Sequence, residues 1–88
     1  MFILFEENPE LFLDEIVKIV KNVKKERIQR KISQLKLANI LDFSSPNYIA
    51  KIETRKHGSS YNLIHLCKIA KAFDIEVVEL LPQKKKKS

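Results

Sequence analysis

Asn47, Lys51 and the neighbouring Thr54 and Arg55 recur at i, i+4 and i+7/i+8, so on a helix they share one polar face. Ile49 and Ile52, three apart, point the other way, with Tyr48 at their edge. An asparagine amide both donates to and accepts from the adenine edge, and a lysine ammonium donates to N7 and O6 of guanine. Such a face, on a helix that follows a short capped helix and a tight turn, has the layout needed to read a major groove. The same spacing also describes an ordinary solvated amphipathic helix, and the helix alone leaves both readings open.

Other chemistries find little support. His57, His65 and Cys67 are the soft metal-ligand types besides Met1, and His65 and Cys67, two apart, fall on different helix faces. Cys67 sits in an apolar stretch and reads as a core residue rather than a nucleophile. Glu6-Glu7 and Asp14-Glu15 are adjacent carboxylates, which diverge on a helix and do not cooperate as acid and base. No glycine-rich loop cradles a phosphate. The sequence therefore predicts no catalytic residue, no metal, no cofactor and no enzyme.

The elements that would carry the polar face are legible as helices. The 88 residues hold one Gly and three Pro, too few for the turns of a sandwich or barrel, and an all-α domain fits better. Asn8-Pro9-Glu10 reads as a cap, a first-turn proline and an acid at the positive end of the dipole. Ile16, Val20 and Val23, widened by Leu11, Phe12, Val17, Ile19 and Ile28, extend one long helix over roughly 9–31. Ser33 caps a short second helix with Leu37, Ala38 and Leu41. Ser44-Ser45-Pro46 opens a third, roughly 46–55. A loop from His57 to Tyr61 contains the single Gly58. Asn62 caps a fourth helix with Leu63, Leu66, Ile69, Ala70 and Phe73, broken at Asp74-Ile75. Val77 to Leu81 read as a fifth, stopped by Pro82.

Charge is segregated along this chain. Residues 1–17 hold five acids and no base, whereas Lys18 to Lys56 hold eleven Lys/Arg against Glu26, Asp42 and Glu53. An acidic end and a basic middle point to a polyanion on one face. Met1 to Phe5 is too short an apolar run to span a bilayer, and no basic segment precedes it as in a secretory signal. Cys67, the single cysteine, has no partner for an internal disulfide, which favours a cytoplasmic protein.

An ordered set of short pieces resembles the Cro and phage-repressor type of helix-turn-helix proteins, also called the xenobiotic-response-element family. The pieces are Glu26-Arg27, Ser33-Gln34, Leu37-Ala38, Ser45 through Glu53, Leu66 through Phe73, and Glu79-Leu80-Leu81. The resemblance implies a five-helix DNA-binding domain over residues 23–82; outside it lie an arm and extended first helix (1–22) and a basic tail (83–88) that holds no apolar residue and is expected to be disordered. It implies that Asn47 and Lys51 read bases. Ser33, Gln34, Ser45, Thr54, Arg55 and Lys56 would meet or position phosphates, and Arg27 and Glu53 would form a structural ion pair between the first and third helices. Three positions where the family carries glycine hold other residues: Leu41-Asp42-Phe43 in the turn, Thr54-Arg55 after Glu53, and Asp74. The stretch from Ala38 to Ser45 is also one residue longer than the family's.

The partner expected is a double-stranded DNA operator, bound by a homodimer with a transcriptional, repressor-like role. A chain this short buries only roughly 60–65% of its unfolded surface, so a dimer interface would help it. The arm (Phe2, Ile3, Phe5, Leu11, Phe12, Leu13) carries more apolar surface than the domain needs, and either folds back on the fifth helix or joins the subunit interface, with Leu80 and Leu81 as a second contribution. Three other readings stand beside this one. The chain could be an antitoxin that binds a toxin protein as well as DNA. It could be a protein-interaction module without DNA binding. RNA binding is the third, disfavoured because Tyr48 and Tyr61 are the only candidates for a stacking platform. The Lys84 to Lys87 run either adds phosphate attraction or serves as a solubilising tail.

Overall fold

A computed structural model describes the backbone of residues 9–83 and the side chains of residues 13–83. Four α-helices follow one another in it: α1 (Pro9–Gln29), α2 (Gln34–Ile40), α3 (Asn47–Glu53) and α4 (Leu63–Phe73). Single 3-10 turns occupy Lys56–Gly58 and Val77–Leu80. Among the described residues there is no strand. The expectations for Met1 to Phe5, for the Leu11 and Phe12 side chains and for the Lys84 to Ser88 tail lie outside the described residues.

The class is all-α as the sequence predicts, but the fifth helix is a 3-10 turn. Its four residues include two β-branched valines, and Pro82 closes the segment, so no second helical turn can add to the first. The turn is fixed from two sides. Glu79 accepts from the Glu76 amide at 3.0 Å, and Asn22 of α1 donates to the carbonyls of Leu80 and Leu81 at 3.1 and 3.3 Å. Leu80 is fully buried in its own domain and is not available to a subunit interface; Leu81 is partly buried against the same core.

The core collects Val20 and Val23 of α1, Leu37 and Ala38 of α2 with Leu41, Ile49 and Ile52 of α3, and Leu66, Ile69, Ala70 and Phe73 of α4. Tyr61 and Leu80 complete it. A buried Leu or Ile in such a core costs about 2–5 kcal/mol to truncate to alanine. The inward side of α4 runs through 66, 69, 70 and 73, so Leu63 and Cys67 turn out to lie on its outer side. Leu63 and Ile64 are each 66% exposed, and Cys67 is exposed, not a core residue. Ile28, 54% exposed, likewise leaves the expected stripe of α1.

Every described helix ends on a left-handed residue that is not glycine. Lys31, Asp42, Arg55 and Asp74 have φ of 56°, 62°, 58° and 60°. After α1, the amides of Lys31 and Ile32 reach back to the carbonyls of Ile28 and Arg27. After α2, those of Asp42 and Phe43 reach Asn39 and Ala38, and after α4, those of Asp74 and Ile75 reach Lys71 and Ala70. This is the double closure of a Schellman motif, which satisfies the last carbonyls of a helix. α1 and α3 accordingly stop short of the predicted residues 31 and 55. Asp42, Arg55 and Asp74, which stand where the resemblance leads one to expect glycine, thus adopt the backbone region that glycine favours.

Candidate nucleic-acid interface

α3 is seven residues long and would not persist alone in water. Its start is set by Ser45, whose Oγ accepts from the Asn47 amide at 3.0 Å, and by Pro46, already helical at φ −65°. α2 starts in the same manner, with Ser33 Oγ accepting from the Lys36 amide at 3.0 Å. α4 starts with a capping box. Asn62 Oδ1 accepts from the His65 amide at 2.7 Å, and His65 Nδ1 accepts from the Asn62 amide at 3.1 Å.

Tertiary contacts then fix α3. Ile49 and Ile52 hold it to the core. At its last residue, Arg27 Nε donates to Glu53 Oε2 at 2.8 Å and Arg27 Nη2 to Glu53 Oε1 at 3.1 Å, a two-pronged pair with side chains only 11% and 3% exposed. Gln34 Nε2 adds a third donor to Oε1 at 2.9 Å, and Arg27 Nη1 donates to the Ile32 carbonyl at 2.7 Å. One carboxylate thus ties together α1, α2 and α3. The buried Tyr61 hydroxyl has no hydrogen-bond partner in the protein. Burial, and secondly the Glu53 carboxylate, push its ionisation above the ordinary tyrosine range against the opposing pull of Arg27, so it stays neutral.

The outer side of α3 forms a concavity lined by Asn47, Ala50, Lys51, Thr54 and Lys56. Asn47, Lys51, Thr54 and Lys56 are exposed, and among the described residues no carboxylate lies within 4 Å of Lys51 or Lys56. Thr54 Oγ1 donates back to the Ala50 carbonyl at 2.9 Å. Arg55 is half-buried and its guanidinium donates to the Ser59 carbonyl, holding the 3-10 turn that presents Lys56. The structure therefore brings Asn47, Lys51, Thr54 and Lys56 onto one surface. It brings Arg27, Gln34 and Glu53 together behind that surface, and leaves Ser33 and Ser45 as helix caps.

The turn before α3 is braced by aromatic rings. Phe43 packs against Tyr48 with ring centroids 5.4 Å apart, and against His65 edge-on at 5.1 Å. Asp42 accepts from Lys68 Nζ at 3.1 Å. Arg30, which counts toward the basic middle of the sequence, is likewise structural: it pairs with Glu26 and lies 4.9 Å from the Phe73 ring centroid.

Sequence reasoning missed three parts of this arrangement. Nothing local announces that the amide nitrogen of Gln34, the residue expected at a phosphate, donates to Glu53. Tyr61 lies in the loop that the sequence predicts, but its burial is not foreseen, although a large aromatic just before a helix cap is itself a signal of burial. Asn22, on the polar side of α1, gave no local sign that it holds the last turn 58 residues away.

Residues 23–80 match the helix-turn-helix family. No curated protein and no solved structure matches the chain. Among the described residues, no helix is long and apolar enough to cross a membrane. The matched stretch holds α2, the turn, α3 and both partners of the Arg27–Glu53 pair, and it covers well over half of the sequence. On the family match and the helices that carry it, this chain belongs to the Cro and phage-repressor type of helix-turn-helix proteins, a family of DNA-binding transcription regulators.

Proposed function

We propose that this protein is a sequence-specific regulator that lays α3 in the major groove and occupies a two-fold-related operator as a homodimer. The observation that carries the reading is the exposed Asn47–Lys51–Thr54–Lys56 surface, formed by α3 and the turn after it, with the other side of α3 locked by Ile49, Ile52 and Glu53. Asn47 and Lys51 read base edges, while Lys56 and the start of α2 hold the phosphates that set register. The homodimer rests on the sequence alone, on the apolar residues gathered between Met1 and Leu13 and the small core of so short a chain. In a two-fold complex, two copies of α3 sit about 34 Å apart and meet half-sites roughly 10 base pairs apart.

The test is selection of duplex DNA from a random pool by the purified protein. Enrichment of a motif with two inverted halves at that spacing is expected. Lys51→Ala should then relax preference at one position per half-site by about 1–3 kcal/mol, and Lys56→Ala should weaken all sequences alike and lower the salt slope by about 1. A pool that shows no enrichment, at low and at physiological salt, would sink the reading.

A further inference from the structure

We propose that Tyr48 is a specificity-determining residue that acts by positioning Lys51, an inference that rests on the DNA-reading function of α3. Tyr48 lies on α3 one turn before Lys51, and it is 47% exposed. One side of that ring is held by Phe43, at 5.4 Å between centroids and 48° between planes. Lys51 Nζ lies 5.8 Å from the ring centroid, within the range in which a cation is drawn to an aromatic face. Phe43 is in turn gripped by His65 of α4, so a continuous column runs from the scaffold through Phe43 and Tyr48 to the Lys51 ammonium.

The physical consequence concerns a flexible donor. A lysine stem has four rotatable bonds, and an exposed, unpaired ammonium on α3 would sample several base pairs and nearby phosphates alike. The Tyr48 ring biases it toward one side of the helix, and that bias raises the fraction of molecules whose donor is aimed at one base before DNA arrives. Phe43, in the turn ahead of α3, supplies the side chain that keeps Tyr48 in place. In this arrangement the ring does the work and the phenol hydroxyl does not.

The experiment compares Tyr48→Leu, Tyr48→Phe, Lys51→Ala and the Tyr48→Leu/Lys51→Ala double variant with the parent, all as full chains. Two readouts are used. Without DNA, the Lys51 ε-methylene protons should show an upfield ring-current shift that Tyr48→Leu abolishes and Tyr48→Phe keeps. With DNA from the random-pool selection, Tyr48→Leu should lower preference about two- to fivefold at the operator position that Lys51→Ala relaxes. Tyr48→Phe should restore it, and the double variant should be no worse there than Lys51→Ala alone. A purely structural tyrosine would instead lower the melting temperature and weaken all sequences evenly, which would overturn the proposal. So would a Tyr48→Phe variant as impaired as Tyr48→Leu, since that outcome assigns the role to the hydroxyl. If the parent selects no motif at all, the DNA-reading function fails. If Lys51→Ala alters one position and Tyr48→Leu alters none, only the positioning role fails.

Discussion

Two ion pairs hold the segment that contains α3, each joining residues 26 positions apart, and they differ in nearly every physical respect. Arg27 and Glu53, at the C-terminal end, are almost shut off from water and share their carboxylate with Gln34. Lys68 and Asp42, in the turn ahead of α3, sit in solvent with side chains 43% and 78% exposed. In the first pair, losing one partner strands a charge where water cannot reach it. In the second, solvent and salt already screen both groups. The turn side makes up for its weak pair with rings, through Phe43 between Tyr48 and His65. The contrast teaches that the positive charge of the basic middle is not a tally of DNA contacts. Arg27 and Arg30 are committed to the scaffold, and Lys51 and Lys56 are the charges that α3 and its following turn present outward.

The strongest way to break this comparison is to cut the buried pair. Arg27→Met or Glu53→Gln should each destabilise the protein by about 3–5 kcal/mol, a large share of the total stability of a small domain. The double variant Arg27→Met/Glu53→Gln should recover part of that loss, because neither charge is then left alone. Lys68→Met and Asp42→Asn should each cost about 0.2–1 kcal/mol, with less effect at high salt. Urea denaturation of the two double-mutant cycles measures both couplings. Equal coupling energies in the two cycles would show that burial does not distinguish them.

Much of this division was legible in the residues. Ile49 and Ile52 against Asn47 and Lys51 declare the two faces of α3 by spacing alone, and the apolar positions of α2 and of the second half of α4 fall where the core is. What local pattern could not show was which polar groups find partners across the fold. Gln34 and Glu53 meet because α2 and α3 cross, and Asn22 meets Leu80 because the chain returns to α1. Leu63 and Cys67 were misplaced for a related reason. An eleven-residue helix with apolar residues on most of its circumference does not say which side is covered, and the partner helices decide.

A smaller change should sharpen the clamp side. Lys31 closes α1 at φ 56°, a conformation unfavourable for a residue with a Cβ, and the next residue, Ile32, supplies the carbonyl that accepts from Arg27. Lys31→Gly should stabilise the protein by about 0.5–1 kcal/mol, the relief of the left-handed backbone outweighing the added freedom of the unfolded chain. Asp74→Gly, at the end of α4, should give less, because aspartate tolerates this region better than lysine. Thermal melts of the two variants rank them. If Lys31→Gly lowers the midpoint, the helix stop is not strained in solution.

The smallest effect belongs to the turn side and to proton binding at His65. Burial, and secondly the Lys68 ammonium, lower the affinity of His65 for a proton below that of an ordinary histidine. Geometry points the same way, since Nδ1 accepts from the Asn62 amide and can do so only while unprotonated. The folded protein therefore binds fewer protons at this site than the unfolded chain. The site's contribution to stability is complete above the unfolded value of about 6.5 and is lost as pH falls through the lower folded value. Protonation would release one bond of the α4 cap and set a second cation beside Lys68, next to the edge of Phe43. His65→Gln keeps an acceptor at the third position of the capping box and removes the titration. Melting midpoints of parent and His65→Gln, measured from pH 8 down to about 5, should converge at the upper end and diverge at the lower, with the parent falling further. If the two profiles stay parallel over that range, His65 is not what makes the aromatic brace sensitive to acid.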